Sequence, residues 1–123
     1  MLILHDPRCS EYGSSLRPEQ PARVIRSAAH LRQAHPEWTW RVPAESSVTD
    51  EILQLAHAPA HLKRLAVARD FDGDTPYFPG IGDHARRSVA AAIEAARHTL
   101  TSPHWEPVFS LMRPPGHHAT STQ

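Results

Sequence analysis

The sequence predicts an α/β fold with a parallel sheet, and two observations lead to this prediction. The first is a pair of short apolar runs, Met1–Leu4 and Val108–Met112, which are typical of buried parallel strands. The second is that strand-like and helix-like segments alternate along the chain, which is the pattern of parallel sheets. With 123 residues, the chain can hold one small domain but is shorter than most complete α/β enzymes.

The elements of the first half are marked by helix start and stop signals. Pro21 suits the first turn of a helix, apolar residues follow at helical spacing, and Pro36 ends the pattern. Trp38–Val42 is rich in strand formers and predicts a second strand. Thr49 is a good N-cap for a next helix, with acidic residues in its first turn, and we expect that helix to break at Pro59.

The chain is predicted to hold two long loops, and its second half two more helices. His5–Gln20 and Asp70–Asp83 are polar and rich in glycine or proline, so we expect loops there. A helix that begins at Pro59 should bury Leu62, Leu65 and Ala66. The clearest helix follows, with Asp83 as its cap. Its predicted apolar stripe consists of Ala85, Val89, Ala92, Ile93, Ala96 and Leu100.

The composition excludes several classes of protein. Hydrophobic residues make up 40% and charged residues 21%, which is unlike a disordered chain, and 13 basic residues balance 13 acidic ones. This balance gives no reason to expect binding to nucleic acid or to an acidic membrane surface. Cys9 is the one cysteine, so no internal disulfide is possible, and its polar surroundings do not predict a nucleophile. No transmembrane segment or signal peptide is evident, so the cytoplasm is the expected location.

The segment at 113–119 is the strongest candidate for chemistry. It leaves the last apolar strand at its carboxyl end, where open α/β sheets gather ligands. Its two prolines stiffen the backbone, and Gly116 would permit a turn or a close approach that a side chain would forbid. His117 and His118 follow, and imidazole exchanges protons near neutral pH. The alternative is that two of the ten histidines simply fall together in a loop.

The run Arg-Pro-Pro-Gly-His-His-Ala at 113–119 resembles the histone deacetylase, acetylpolyamine amidohydrolase and acetoin-utilisation family, in its class II-like bacterial branch. Glu19–Arg23 is similar to the family's His-Pro-Glu-x-Pro-x-Arg motif, although Arg17 stands where a histidine is usual. His57–His61 and Asp74–Pro76 also match. The resemblance implies a three-layer arginase/deacetylase-like fold, with 1–123 as its incomplete amino-terminal portion.

The family resemblance implies a zinc-dependent deacetylase that hydrolyses N-acetyl amides on lysine or polyamines. It assigns proton transfer to His118 and an electrostatic role to His117, neither of which would bind the metal. Asp74 and Gly116 would contact substrate, and Arg23 would lie at an acetate-release channel. Zinc would be the cofactor of the complete domain.

Simpler interpretations of several residues stay open. Asp74 could be an ordinary turn aspartate, and Arg23 could be a surface charge on the first helix. His57 would suit a helix end, and a metal site with His61 is rejected because Pro59 should break their shared helix face. The remaining candidates are expected to face solvent or cap helices: His30, His35, His84, His98 and His104.

The family's zinc ligands are an Asp-x-His pair and a further aspartate that follow the tandem histidines. This sequence contains no Asp-x-His, and the polar tail 120–123, expected to be disordered, offers no ligand. We therefore expect no metal ligand in this chain and no catalysis by it alone. The alternative is a non-catalytic protein that associates with itself or a partner, because the strand at Val108–Met112 would have an exposed edge. A third alternative is an oligomer in which another chain supplies the ligands.

Overall fold

The computed structural model describes residues 1–45 and 48–122 of the chain. Within these ranges it contains three strands and four α-helices, together with a short 3₁₀ turn at Pro7–Ser10. In chain order the elements are β1 (Leu2–Leu4), α1 (Pro21–Ala34), β2 (Thr39–Arg41), α2 (Asp50–Leu53), α3 (Pro59–Leu65), α4 (Ile81–Thr101) and β3 (Val108–Ser110).

The three strands form one parallel sheet in the order β2-β1-β3. Leu2 pairs with both Thr39 and Val108, so β1 lies in the middle of the sheet. All three residues of β1 are buried, as expected for a strand covered on both faces. The predicted parallel sheet is confirmed.

Helix α4 covers one face of the sheet. Because side chains alternate along a strand, Leu2 and Leu4 point to this face, where they pack against Ala91. Val108 of β3 and the partly buried Ala95 extend the same cluster. The small alanine side chains let the helix lie close to the strands.

Helix α1 lies on the opposite side of the sheet. The guanidinium of Arg32 stacks over the ring of Trp40 in β2, 3.9 Å from its centroid. Val24 and Ala28 are the buried residues of this helix. With α1 on one side and α4 on the other, the sheet is the middle of three layers, and the predicted α/β layering is confirmed.

A second apolar cluster lies on the side of α4 that faces away from the sheet. Leu53 of α2 and Ala90 of α4 are buried there together with Val48, and Leu62 of α3 packs against them. Thr49 caps α2 as predicted, since its hydroxyl accepts a hydrogen bond from the Ile52 amide at 3.4 Å. The helix ends at Leu53, earlier than the sequence predicts.

The predicted apolar face of α4 is right only in part: Val89 and Ile93 pack against the second cluster. The helix begins at Ile81, so its N-cap is Gly80, with a φ of 76°, and the predicted cap Asp83 lies in the first turn instead. Ala92, Ala96 and Leu100 of the predicted stripe are exposed, whereas Ala90 and Ala91 are fully buried. Alanines lie on several sides of this helix, so the spacing of its apolar residues does not define which side packs against the sheet. Ala66, predicted to be buried, is exposed because α3 ends at Leu65, and Leu62 and Leu65 are only partly buried.

No helix in the described ranges has the length and apolar character needed to cross a bilayer.

Candidate functional site

The candidate site lies at the carboxyl ends of β1 and β3. His5 and Asp6 follow β1 directly and are both buried. A ring nitrogen of His5, Nδ1, lies 2.9 Å from the carbonyl oxygen of Leu111, and the amide of Asp6 donates to the sulfur of Met112 at 3.1 Å. These contacts join the two chain segments just beyond the sheet, at the edge where the sequence predicts chemistry.

Asp6 is a buried carboxylate held by Arg8. Nε and Nη2 of Arg8 donate to the carboxylate oxygens, and the Arg8 amide donates to Oδ1 at 3.0 Å. Burial alone would raise the pKa of Asp6, but these hydrogen bonds and the Arg8 charge lower it below its ordinary value. Arg8 also pairs with Glu45, and Arg87 contacts the same carboxylate. Asp6 is therefore a charged carboxylate whose two oxygens both accept hydrogen bonds from Arg8.

Arg113 is as deeply buried as Asp6, with 2% of its surface exposed. Its Nε and Nη2 donate to the two carboxylate oxygens of Glu19 at 2.6 and 2.7 Å. Its Nη1 donates to the carbonyl oxygens of Cys9 and Tyr12 at 2.9 and 3.1 Å, and its guanidinium lies 4.3 Å from the Tyr12 ring centroid. Burial alone would lower the pKa of Arg113, but Glu19 raises it above its usual value.

His117 and His118 occupy the centre of an exposed turn four residues further along. The Ala119 amide donates to the Gly116 carbonyl at 3.0 Å, which closes a β-turn around the two histidines. The imidazole rings lie against each other with centroids 4.1 Å apart. Both side chains are exposed, so either ring can meet a solute.

The three other predicted site residues lie in different surroundings. Asp74 is exposed, its amide donates to Asp72 at 2.8 Å, and its carbonyl accepts from Arg17 at 3.1 Å. Arg23 is exposed on α1, not buried, and lines an open groove of about 220 Å³ that Arg113 also borders. The structure thus brings Arg23 and Arg113 to one groove, while the two Asp74 contacts are made by its backbone, in a turn whose amides donate to the Asp72 carboxylate.

The expected steric need for glycine at position 116 is wrong. Gly116 has no left-handed backbone, and a Cβ added there would meet no atom within 4 Å. The segment is exposed at this point, so nothing approaches it closely. Gly13 fits that expectation instead: its φ is 113°, and an added Cβ would lie 2.9 Å from Nη2 of Arg113.

The tail, for which the sequence predicts disorder, carries hydrogen bonds in its described part. Nδ1 of His57 lies 2.8 Å from the Thr120 carbonyl oxygen, and the Ala58 amide donates to the Ser121 carbonyl at 2.8 Å. His57 and His61 have ring centroids 5.1 Å apart. The His57 ring and the Ala58 amide therefore hold the end of the segment that carries the histidine turn.

The residues present do not fit a zinc site. In the ranges 1–45 and 48–122, no three His, Cys, Asp or Glu side chains cluster closely enough to hold a metal ion. The rings of His117 and His118 face solvent with no carboxylate beside them, whereas a zinc ion needs three or four protein ligands. We therefore assign no metal-dependent step to this chain.

Sequence reasoning missed the buried polar groups of this edge. Arg113 was singled out only as part of a motif, and Asp6 only as part of a loop, yet both are buried. His84, predicted to face solvent or cap a helix, is buried against the ring of Tyr12, with centroids 4.7 Å apart. The available signal was position: Asp6 and Arg113 each follow a buried strand closely. Burial raises the pKa of Cys9, in keeping with the expectation that this thiol is not a nucleophile.

Comparisons with known proteins agree with this architecture. Residues 17–123 match the family model described as histone deacetylase domain. The uncharacterized protein slr0245 of Synechocystis sp. is 35% identical over 111 residues, which cover 83% of this chain and 36% of that protein. The crystal structure of the HDA15 HD domain superposes with a TM-score of 0.85 at 25% identity, covering 98% of this chain and 37% of the other.

The family match covers most of the chain, and the strand order and layers described above superpose on a solved member of that class. The chain spans little more than a third of the length of either relative. The match includes the histidine turn and the Glu19–Arg113 ion pair that precedes it. The chain belongs to the histone deacetylase family.

Proposed function

We propose that this chain supplies the proton-transfer part of a deacetylase that hydrolyses N-acetyl amides of lysine or a polyamine. His118 is the general base and acid, and His117 is its electrostatic partner. The single observation that carries the proposal is the exposed histidine turn at the carboxyl end of β3, within a histone deacetylase domain match. The activity of the whole protein, its substrates and its partners are part of this proposal.

The chemistry asks for one group that both accepts and donates a proton. Hydrolysis adds water across the amide: the acetyl carbon takes the hydroxyl, the C–N bond breaks, and the amine leaves with a proton as acetate forms. An imidazole suits both transfers because it exchanges its charge near neutral pH. The ring of His117 has its centroid 4.1 Å from that of His118, so the two rings interact electrostatically at short range when His118 is charged.

The chain alone is proposed to be inactive. Zinc belongs to the complete family domain, and the described residues lack a set of ligands for it. Asp74 and Gly116 as substrate contacts, and Arg23 as the acetate-channel residue, belong to the same proposal. Arg23 lines a groove together with Arg113 and Glu19; because Glu19 pairs with Arg113, Arg23 is the cation there that could meet a small anion.

The experiment compares hydrolysis of an acetyl-lysine peptide and an acetylpolyamine by this chain and by a protein that carries the complete domain. We expect the complete form to be active and His118→Ala to lower kcat about 10²- to 10⁴-fold. His30→Ala, an exposed histidine of α1, is the matched control and should retain full activity. Undiminished hydrolysis by His118→Ala would refute the role of that residue.

A second candidate is a non-catalytic protein that associates through the open edge of β3. Within the described chain β3 pairs with β1 alone, and Phe109 on this strand is 50% exposed. Such an edge with an exposed aromatic side chain favours strand pairing with another chain. Sedimentation of the same samples separates the candidates: a stable oligomer of the short chain, together with an inactive complete form, would favour association.

A further inference from the structure

We infer that Arg113 and Glu19 are positioning residues for the histidine turn: their ion pair fixes the backbone from which His117 and His118 project. Neither side chain contacts the imidazoles, so both act through the peptide segment between them. The inference deepens the proposed function and rests on it, since it explains how the backbone that carries the two histidines is held in place. Three features carry it, namely the contacts of Arg113, the shape of the loop around it, and the exposure of the turn.

The contacts of Arg113 reach two separate places on one loop. Two donors engage the Glu19 carboxylate side by side, and a third engages the carbonyls of Cys9 and Tyr12. A guanidinium has five N–H donors in a rigid plane, so satisfying acceptors on two sides fixes its orientation. Since Arg113 follows β3 closely in sequence, fixing its side chain fixes the exit direction of the chain from the sheet.

The loop is shaped around the guanidinium. The left-handed backbone of Gly13 disfavours any residue with a side chain. Independently, an added Cβ would lie 2.9 Å from Nη2 of Arg113 and 3.2 Å from Cδ of Pro21. Backbone and space therefore both require glycine here, which is a local specialisation for the buried arginine.

The turn itself has few contacts that could hold it. His117 and His118 are exposed, and Pro115 and Gly116 beside them are exposed as well. Besides Arg113, the hydroxyl of Ser88 donates to the Pro114 carbonyl at 2.9 Å, and on the other side of the turn Nδ1 of His57 lies 2.8 Å from the Thr120 carbonyl oxygen. A segment with so little packing is ordered chiefly by its attachments.

Lysine would not replace Arg113. An ammonium is a compact charge with three donors and cannot bind a carboxylate side by side while also reaching two carbonyls. Glutamine in place of Glu19 would leave one acceptor oxygen and turn an amide group toward the guanidinium. Both substitutions keep the size of the side chain and remove the geometry, so they test positioning more cleanly than alanine does.

The experiment measures the order of the turn in this chain by NMR. Backbone order parameters of residues 115–119 and the nuclear Overhauser contact between the two imidazole rings are compared across Arg113→Lys, Glu19→Gln and Gly13→Ala. We expect order parameters to fall from about 0.85 to below about 0.6 and the ring contact to weaken, while β1 amides stay rigid. Arg41→Lys is the matched control, because its Nε also donates to a glutamate, Glu94 at 2.6 Å, but it lies outside the site.

The outcomes separate clearly. Folded Arg113→Lys and Glu19→Gln variants with an unaltered turn would overturn the inference, and so would a turn already mobile in the unaltered chain. Should Arg113→Lys fail to fold, Glu19→Gln decides, because Glu19 is 37% exposed and its loss is milder. The ring contact is independent of activity. Full hydrolysis by His118→Ala would therefore end the proposed function without changing the result for positioning.

Discussion

The two halves of segment 113–119 differ in how they are built. Arg113 is almost fully buried, and its charge is matched by a carboxylate and two carbonyls. His117 and His118 are exposed and contact chiefly each other. Burial of a charge is costly unless hydrogen bonds compensate it, and an exposed imidazole costs little. The anchor is thus the part on which stability depends, and the turn is the part free to react.

The largest expected effect comes from breaking the anchor. Arg113→Met keeps the bulk but leaves the carbonyls of Cys9 and Tyr12 without a donor. We expect the free energy of unfolding to fall by about 3 kcal/mol, toward the lower end for buried pairs because Glu19 can still be hydrated. Urea unfolding measures it. Arg41→Met should cost no more than about 1 kcal/mol, and an equal loss in both variants would contradict the distinction.

A smaller effect is expected from acidification, through His84 beside the anchor. Burial lowers the pKa of His84, and the nearby charge of Arg87 lowers it further, with a lesser contribution from Arg113. Glu11 and Asp83 oppose this shift. Because the unfolded chain takes up the proton at higher pH than the folded chain, stability should decrease as the pH falls below 6.5.

His84→Gln tests this dependence, since glutamine keeps hydrogen-bonding groups and does not titrate. Urea midpoints at about pH 7.5 and about pH 5.5 should differ less in this variant than in the unaltered chain. Some dependence remains, because burial and the neighbouring His57 also lower the pKa of His61. An identical pH slope in both proteins would show that His84 is not the source.

The smallest effect is expected at the turn. His117→Ala and His118→Ala remove exposed side chains, so each should change the free energy of unfolding by less than about 0.5 kcal/mol. Thermal or urea unfolding of the two variants beside Arg113→Met makes the comparison quantitative. A loss of more than about 1 kcal/mol at either histidine would mean that the turn is itself structural.

Local signals in the sequence were sufficient for much of the fold. Pro21 begins α1, Thr49 caps α2 and Pro59 begins α3, because each of these residues restricts the backbone or satisfies an amide by itself. The buried face of α4 was not predictable in the same way. Its many alanines fit several faces, and packing against β1 decides among them.

The candidate site divides along similar lines. The histidine turn could be found because adjacent motif residues form it. The burial of Arg113 could not, because its partners Glu19, Cys9 and Tyr12 are distant in sequence and arginine is ordinarily exposed. Gly13 could have been noticed only as a glycine in a polar loop, since its requirement depends on an atom of Arg113.

The central position of β1 has a consequence for synthesis of the protein. Leu2 must pair with Val108, so β1 waits during synthesis for β3, which follows it by about a hundred residues. Contacts between residues so far apart in sequence close late and slowly. β2 can already cover one edge of β1, but the edge that pairs with β3 stays open until then. The nascent chain is therefore most vulnerable to aggregation, or most dependent on a chaperone, before β3 emerges.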